Sequence, residues 1–393
     1  MIDRPLHDDL ERSFEAARAA RRRIAGFVRH TPLLELGFHA NGDHVASQTQ
    51  DGVRRVLKLE NRQHTGSFKI RGAAAALTAG PRPLEVIAAS TGNHGLAVAA
   101  VAHALKLPCR IFVPAGASSA KLALLGEAGV ELVAIDGDPL HAELAARETA
   151  EQVPGARLVP PYNDRDVILG QATVGLELLE DVPEEPGAVF VGVGGGGLIS
   201  GVAIAVRSRW PRALIVGCVP AASPAMADAV AAGHVVSSRL EPTLSDATAG
   251  NIEDETITLA ICSAFVDEFL LIAEEEIAAA MVLALRDHGL EIEGAAALAL
   301  AGSLRWRRGH GPQTRSGPRA GSDSDSRSGS RSGSDSDSRS GPLRAPGSGR
   351  ELDPGAVRTA SGPLPAPGSG SGPCHVIVIG GGNVGAQTLR SLA

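Results

Sequence analysis

The 393-residue chain has little lysine: Lys58, Lys69, Lys106 and Lys121 are the full set, and arginine supplies the rest of the positive charge. Net charge is −7, with no basic stripe in the well-patterned part, which argues against a nucleic-acid partner. Aromatic residues make up only 3%, so stacking platforms for bases are lacking as well. No apolar run approaches the ~20 residues of a membrane span. The N-terminal stretch, with Asp3, Arg4, Asp8, Asp9 and Glu11, lacks the apolar core of a signal peptide. Cys109, Cys218, Cys262 and Cys374 show no paired spacing and read as free buried thiols of a reducing cytosol, so a cytoplasmic location is expected.

With lysine so scarce, the setting of each one matters. Lys58 alternates within Val56-Leu57-Lys58-Leu59 and is expected on the solvent side of a strand. Lys106 precedes Leu107-Pro108 at a helix end, and Lys121 opens an amphipathic helix. Lys69 differs: Thr65-Gly66-Ser67-Phe68-Lys69-Ile70-Arg71-Gly72 sets a lysine between glycines at the start of an alanine-rich helix. An amine in that setting suits condensation with an aldehyde cofactor.

Apolar strand candidates at 85–89, 110–113, 131–135, 188–193, 214–219 and 375–379 alternate with alanine-rich helical stretches at 95–105, 118–128, 139–151, 168–180 and 198–209. That alternation predicts an α/β protein with doubly wound, mostly parallel sheets. Ligands of such sheets bind where strand C-termini meet helix N-termini. The turns Ser90-Thr91-Gly92-Asn93-His94-Gly95 and Gly194-Gly195-Gly196-Gly197 both fall at such junctions. Consecutive glycines let backbone N–H groups close on an anion, with the following helix adding its positive end. Gly192, Gly194 and Gly197 also satisfy G-x-G-x-x-G. The next strand, Ile215-Val216-Gly217-Cys218-Val219-Pro220, carries no carboxylate for a ribose, which argues against a dinucleotide.

From 305 to 372 the chain is mostly Gly, Ser, Pro, Arg and Asp, too poor in apolar residues to offset the entropy of ordering. It reads as a disordered, low-complexity insertion between the last long helix and the last strand.

The segment around Lys69 resembles the pyridoxal-phosphate lysine motif of the threonine/serine dehydratase family, fold-type II enzymes related to serine racemase. The likeness continues in order through Ala88–Gly95, Pro161-Tyr162-Asn163-Asp164 with Val167–Thr173, Val193–Gly201, Glu293-Gly294-Ala295-Ala296 and Gly381-Gly382-Asn383. It implies two doubly wound domains: a large one from 1–54, 156–304 and 373–393, and a smaller one, 55–155, inserted into it. It implies pyridoxal 5'-phosphate held by Phe68, Lys69, Asn93, Gly194, Gly195, Gly196, Gly197, Leu198, Glu293 and Gly380. A small amino-acid substrate is expected at Ser90, Thr91, Gly92, Asn93 and His94, with Lys69 and Thr91 catalytic.

The expected activity is dehydration of L-threonine or L-serine, or a related 3-hydroxy amino acid, to a 2-oxo acid and ammonia. A racemase, a dehydratase of a specialised hydroxylated metabolite and a catalytically impaired ligand-binding member stand as alternatives. A homodimer is implied by the resemblance alone.

Three departures from the family pattern stand out. Gly380 replaces the serine or cysteine that meets the pyridine nitrogen, and Ala247 replaces a glycine after Asp246. Val219 and Ala225, with Ser223 between them, stand where relatives carry cation ligands, so no metal is expected.

Overall fold

The computed structural model describes residues 5–40, 44–46, 52–137, 139–306 and 373–383. The expected low-complexity insertion therefore lies outside the described residues from 307 to 372.

The strands are β1 (Leu33–Glu35), β2 (Phe38–Ala40), β3 (His44–Ala46), β4 (Arg54–Leu59), β5 (Glu85–Ala89), β6 (Cys109–Pro114), β7 (Glu131–Ile135), β8 (Ala156–Leu158), β9 (Ala188–Gly192), β10 (Leu214–Pro220), β11 (Glu268–Ile272) and β12 (Cys374–Ile379). The helices are α1 (Leu10–Ile24), α2 (Lys69–Thr78), α3 (Asn93–Ala104), α4 (Ser119–Glu127), α5 (Pro139–Gln152), α6 (Arg165–Asp181), α7 (Gly197–Arg209), α8 (Ala225–Ala232), α9 (Ile257–Phe265), α10 (Glu274–His288) and α11 (Gly294–Arg305).

Six strands form one sheet in the order β1-β4-β12-β9-β10-β11, and four form a second in the order β7-β6-β5-β8. Every pairing in these two sheets is parallel except β1 against β4. The central strand β9 is buried along Ala188-Val189-Phe190-Val191, the continuous apolar run expected of a parallel strand covered on both faces.

Three helix starts have local causes. Asp164 accepts a hydrogen bond from Val167 N at 2.9 Å and caps α6. Asp9 does the same for α1 through Arg12 N at 3.0 Å. Gly196 adopts φ +82, a left-handed turn that admits the chain into α7. Helices α1, α2, α3, α6 and α7 contribute one continuous core that includes Phe14, Ile24, Ile70, Val98, Ile168 and Ile204.

Two expectations change. The boundary expected at 55 falls inside β4, which joins the six-stranded sheet between β1 and β12; the boundary at 155 leaves β8 on the wrong side, since β8 pairs with β5. Lys58 is not on a solvent face. Inner strand β4 is covered on both sides, and the Lys58 side chain is fully buried. Its Nζ donates to the Thr31 carbonyl at 2.7 Å and pairs with Glu177 at 2.7 Å and Asp181 at 3.0 Å. Cys109, Cys218 and Cys262 are buried free thiols, while Cys374 is half-buried. Among the described residues no helix is long and apolar enough to cross a membrane.

Candidate active site

Lys69 opens α2, and the turn before it is laid along the end of β12. Phe68 N donates to the Gly380 carbonyl at 3.0 Å, Gly382 N donates to the Gly66 carbonyl at 3.0 Å, and Ser67 bridges Gly381. The returning C-terminal strand thus completes the sheet and fixes the lysine loop at once. Lys69 Nζ donates to the Pro161 carbonyl at 2.9 Å and lies 5.3 Å from the Phe68 ring centroid. Burial lowers the amine's pKa to about 8 against the partial offset of the nearby Glu293 carboxylate. About a tenth of the amine is therefore in the neutral, nucleophilic and basic form at pH 7, far more than for an ordinary lysine.

Behind α2, Arg71 anchors the helix. Its buried guanidinium makes a bidentate contact with Glu60, at 2.7 and 2.7 Å, and another with Glu177, at 2.7 and 3.0 Å. It also donates to Thr173 Oγ1 and the Arg29 carbonyl. Bidentate pairs on two sides fix orientation as well as position.

The Gly194–Gly197 loop sits between the end of β9 and the N-terminus of α7. No side chain fits there. A Cβ on Gly194 would lie 2.9 Å from Thr248 Cα, on Gly196 2.8 Å from Met226 Cε, and on Gly197 2.9 Å from Tyr162 Cβ. One on Gly195 would strike the Tyr162 ring. Tyr162 is itself held, its hydroxyl accepting from Glu253 N at 3.0 Å. Leu198 follows, buried in the core beside Gly380.

Asn93 begins α3, and its amide donates to Glu293 Oε2 at 2.8 Å while its oxygen accepts from Asn383 Nδ2. Burial raises the Glu293 pKa, and the Asn93 hydrogen bond works the other way. Ser90 Oγ accepts from Gly92 N at 3.1 Å, which shapes the turn, and Thr91 is half-buried beside it.

His94 departs from its expected substrate-facing role. It is buried, and its Nε2–H donates to the Val159 carbonyl at 2.8 Å. Burial and the neighbouring Lys69 charge lower its pKa to about 3, so it is a neutral strut between α3 and the segment after β8.

Asn163 and Gln171, quoted in the mid-chain motif, are structural. Asn163 donates to Glu253 at 2.8 Å and accepts from Ile257 N, and Gln171 is buried against Gly72. Val219 and Ala225 are buried, Ser223 Oγ accepts from Gly250 N, and no metal-type cluster of three His, Cys, Asp or Glu occurs among the described residues. Sequence reasoning missed the Pro161 carbonyl and the ring of Tyr162 as parts of the site.

The arrangement combines a buried amine of lowered pKa, a flanking aromatic ring, a side-chain-free anion cradle at a helix N-terminus and a second helix-start turn. Ser67 Oγ and Thr65 Oγ1, in the turn that leads to Lys69, are buried without a hydrogen-bond partner among the described residues. These features fit a phosphorylated aldehyde cofactor and define the protein as a pyridoxal-phosphate enzyme of the α/β kind.

The family model for "pyridoxal-phosphate dependent enzyme" matches residues 24–315, and the chain belongs to that family. It is 38% identical to the L-threonine ammonia-lyase of Geobacter sulfurreducens over 288 residues, 72% of this chain and 69% of the relative. Among solved structures it resembles a threonine deaminase from T.th., with TM-score 0.66 and 33% identity over 74% of this chain and 92% of that one. It also resembles maize serine racemase, with TM-score 0.71 and 25% identity over 96% and 95% of the two chains.

Proposed function

We propose that the protein is a pyridoxal-phosphate-dependent ammonia-lyase that converts L-threonine or L-serine to a 2-oxo acid and ammonia. The observation that carries this reading is the convergence of Lys69, the Gly194–Gly197 cradle and the Ser90–Asn93 turn in a chain 38% identical to a threonine ammonia-lyase. When bound, the cofactor supplies an aldehyde for amines and a ring that takes up negative charge from the substrate α-carbon.

The chain's own residues supply the rest. Lys69 is the attachment amine and, when free and neutral, the base that takes the α-proton; the Pro161 carbonyl holds its nitrogen. Backbone N–H groups of Gly194–Gly197, with the positive end of α7, hold the phosphate. Phe68 and Leu198 line the ring site beside Gly380. Asn93, fixed by Glu293 and Asn383, would hold the cofactor ring by a hydrogen bond to its phenolic oxygen. The turn of Ser90, Thr91 and Gly92 at the start of α3 receives the substrate carboxylate. Loss of the β-hydroxyl as water, followed by hydrolysis, gives the 2-oxo acid and ammonia.

Racemisation is the second reading, favoured by the half-buried Thr91 hydroxyl in the carboxylate turn. The free cysteines support a cytoplasmic location, and a homodimer is proposed from family likeness.

The test is release of ammonia and 2-oxo acid from cofactor-loaded protein with L- and D-serine, L-threonine and 3-hydroxyaspartate, Lys69→Ala serving as control. Turnover lost in the control supports the lyase. Inversion of serine without ammonia release identifies a racemase, and cofactor binding without either product refutes both.

A further inference from the structure

A run of hydrogen bonds leads from the lysine turn to the start of α11, and it passes through Asn383. The Asn383 Nδ2 group donates to the Thr65 carbonyl at 3.0 Å and to Asn93 Oδ1. Asn93 Nδ2 in turn donates to Glu293 Oε2 at 2.8 Å. Glu293 returns the run to the end of β12, its N–H donating to the Gly381 carbonyl at 3.2 Å. Asn383 lies over Gly66, whose φ is +73, and a Cβ on Gly66 would sit 2.4 Å from Asn383 Oδ1. That glycine leaves the space in which the amide lies.

Neither amide is free to turn over. A backbone carbonyl only accepts, so Thr65 draws the nitrogen of Asn383 toward itself. The same nitrogen faces Asn93, which must therefore present its oxygen. The Asn93 nitrogen is left for the Glu293 carboxylate, an acceptor as well. Asn383 thus spends both of its N–H hydrogens. Asn93 spends one, and its second has no acceptor among the described residues. A turned-over Asn93 would set oxygen against the Glu293 carboxylate and nitrogen against the nitrogen of Asn383, two repulsive contacts.

We infer that Asn383 is a positioning residue for the cofactor ring: it fixes the Asn93 amide so that one N–H stays available to the phenolic oxygen, and it ties that donor to the turn carrying Lys69. One side chain then keeps the attachment amine and the N–H donor in register. The inference rests on the reading of Asn93 as the residue that meets the phenolic oxygen. Asn383 acts through Asn93 and takes no part in proton transfer.

The experiment is a double-mutant cycle on the full chain: Asn93→Ala, Asn383→Ala and both together. The readout is the dissociation constant for pyridoxal 5'-phosphate by equilibrium dialysis. Asn383 is exposed, so its truncation leaves the core intact. Asn383→Ala should weaken binding by about fivefold, the scale of one neutral hydrogen bond. In the Asn93→Ala background the same change should cost less than about twofold. Equal losses in both backgrounds overturn the inference, because Asn383 would then act on the lysine turn alone. Asn383→Asp keeps the shape but sets oxygen against the Thr65 carbonyl and Asn93 Oδ1, so it should bind more weakly than Asn383→Ala. Binding by Asn383→Asp as tight as in the wild type also overturns the inference.

The absorbance spectrum of the bound cofactor gives a second readout. Asn383→Ala should move it toward that of Asn93→Ala, and the double variant should match Asn93→Ala. Neither readout needs lyase turnover. If Asn93→Ala changes neither affinity nor spectrum, the ring contact falls and the inference with it. Losses that follow the cycle without ammonia release support the inference while refuting the lyase reading.

Discussion

Replacing Glu177 with glutamine tests whether the buried charge cluster behind α2 holds the fold. Glu177 is 2% exposed and faces two cations, Arg71 at 2.7 and 3.0 Å and Lys58 at 2.7 Å, and it also accepts from Thr31 N at 3.2 Å. Burial alone would raise its pKa, but the two cations dominate and lower it from 4.5 to about 2. At 1.36 kcal/mol per unit, that drop corresponds to about 3 kcal/mol of stability. Breaking a buried ion pair from one side costs ~3–5 kcal/mol by a separate route, because the partner charges stay buried.

Glu177→Gln keeps the volume and removes the charge, so a loss of about 3 kcal/mol at pH 7 is expected in equilibrium urea unfolding followed by circular dichroism. The sign with pH follows from the lowered folded-state value. The contribution of Glu177 is complete above pH 4.5 and disappears as pH falls toward 2, so the gap between wild type and variant should close over that window. Glu180→Gln, an exposed pair with Arg21 one turn away, should cost less than ~1 kcal/mol. A loss at Glu177 no larger than at Glu180, or a gap that does not narrow below pH 4.5, would contradict this account of the cluster.

Three further predictions concern the site. Cofactor uptake by ligand-free protein, followed by stopped-flow absorbance, should speed up with pH through an inflection near 8, the pKa of the Lys69 amine, and level off above it; an inflection near 10.5 would contradict its burial. Gly195→Ala drives a methyl group into the Tyr162 ring, and overpacking of ~1–3 kcal/mol should weaken cofactor affinity by at least about fivefold in equilibrium dialysis. Gly380→Ser should fold normally, because a Cβ there meets Phe68 at 3.4 Å and Leu198 at 3.8 Å, both ordinary contacts. It should also shift the bound-cofactor spectrum and raise kcat.

Much of the site was legible because its parts are contiguous. The lysine turn, the Ser90–Gly95 turn and the glycine loop each declare themselves within about eight residues, since backbone shape and local chemistry dictate them together. Strands β5 and β7 fall where their apolar runs predict, at Glu85–Ala89 and Glu131–Ile135. His94 was misplaced because a helix-start histidine looks the same whether it faces a ligand or a carbonyl 65 residues away.

Local pattern was enough to set the sheet-and-helix alternation and to mark the lysine turn and the glycine loop, because each depends on residues a few positions apart. Lys58 shows the limit of that reasoning. Period-two alternation faces a lysine to water only on a half-covered strand, and the pairing of β4 with both β1 and β12 was not visible in its own six residues. Long-range packing laid β12 beside the lysine turn and joined Asn93 to Glu293 across 200 residues. Those contacts close long loops, and which of them form is settled by the packing of the whole chain.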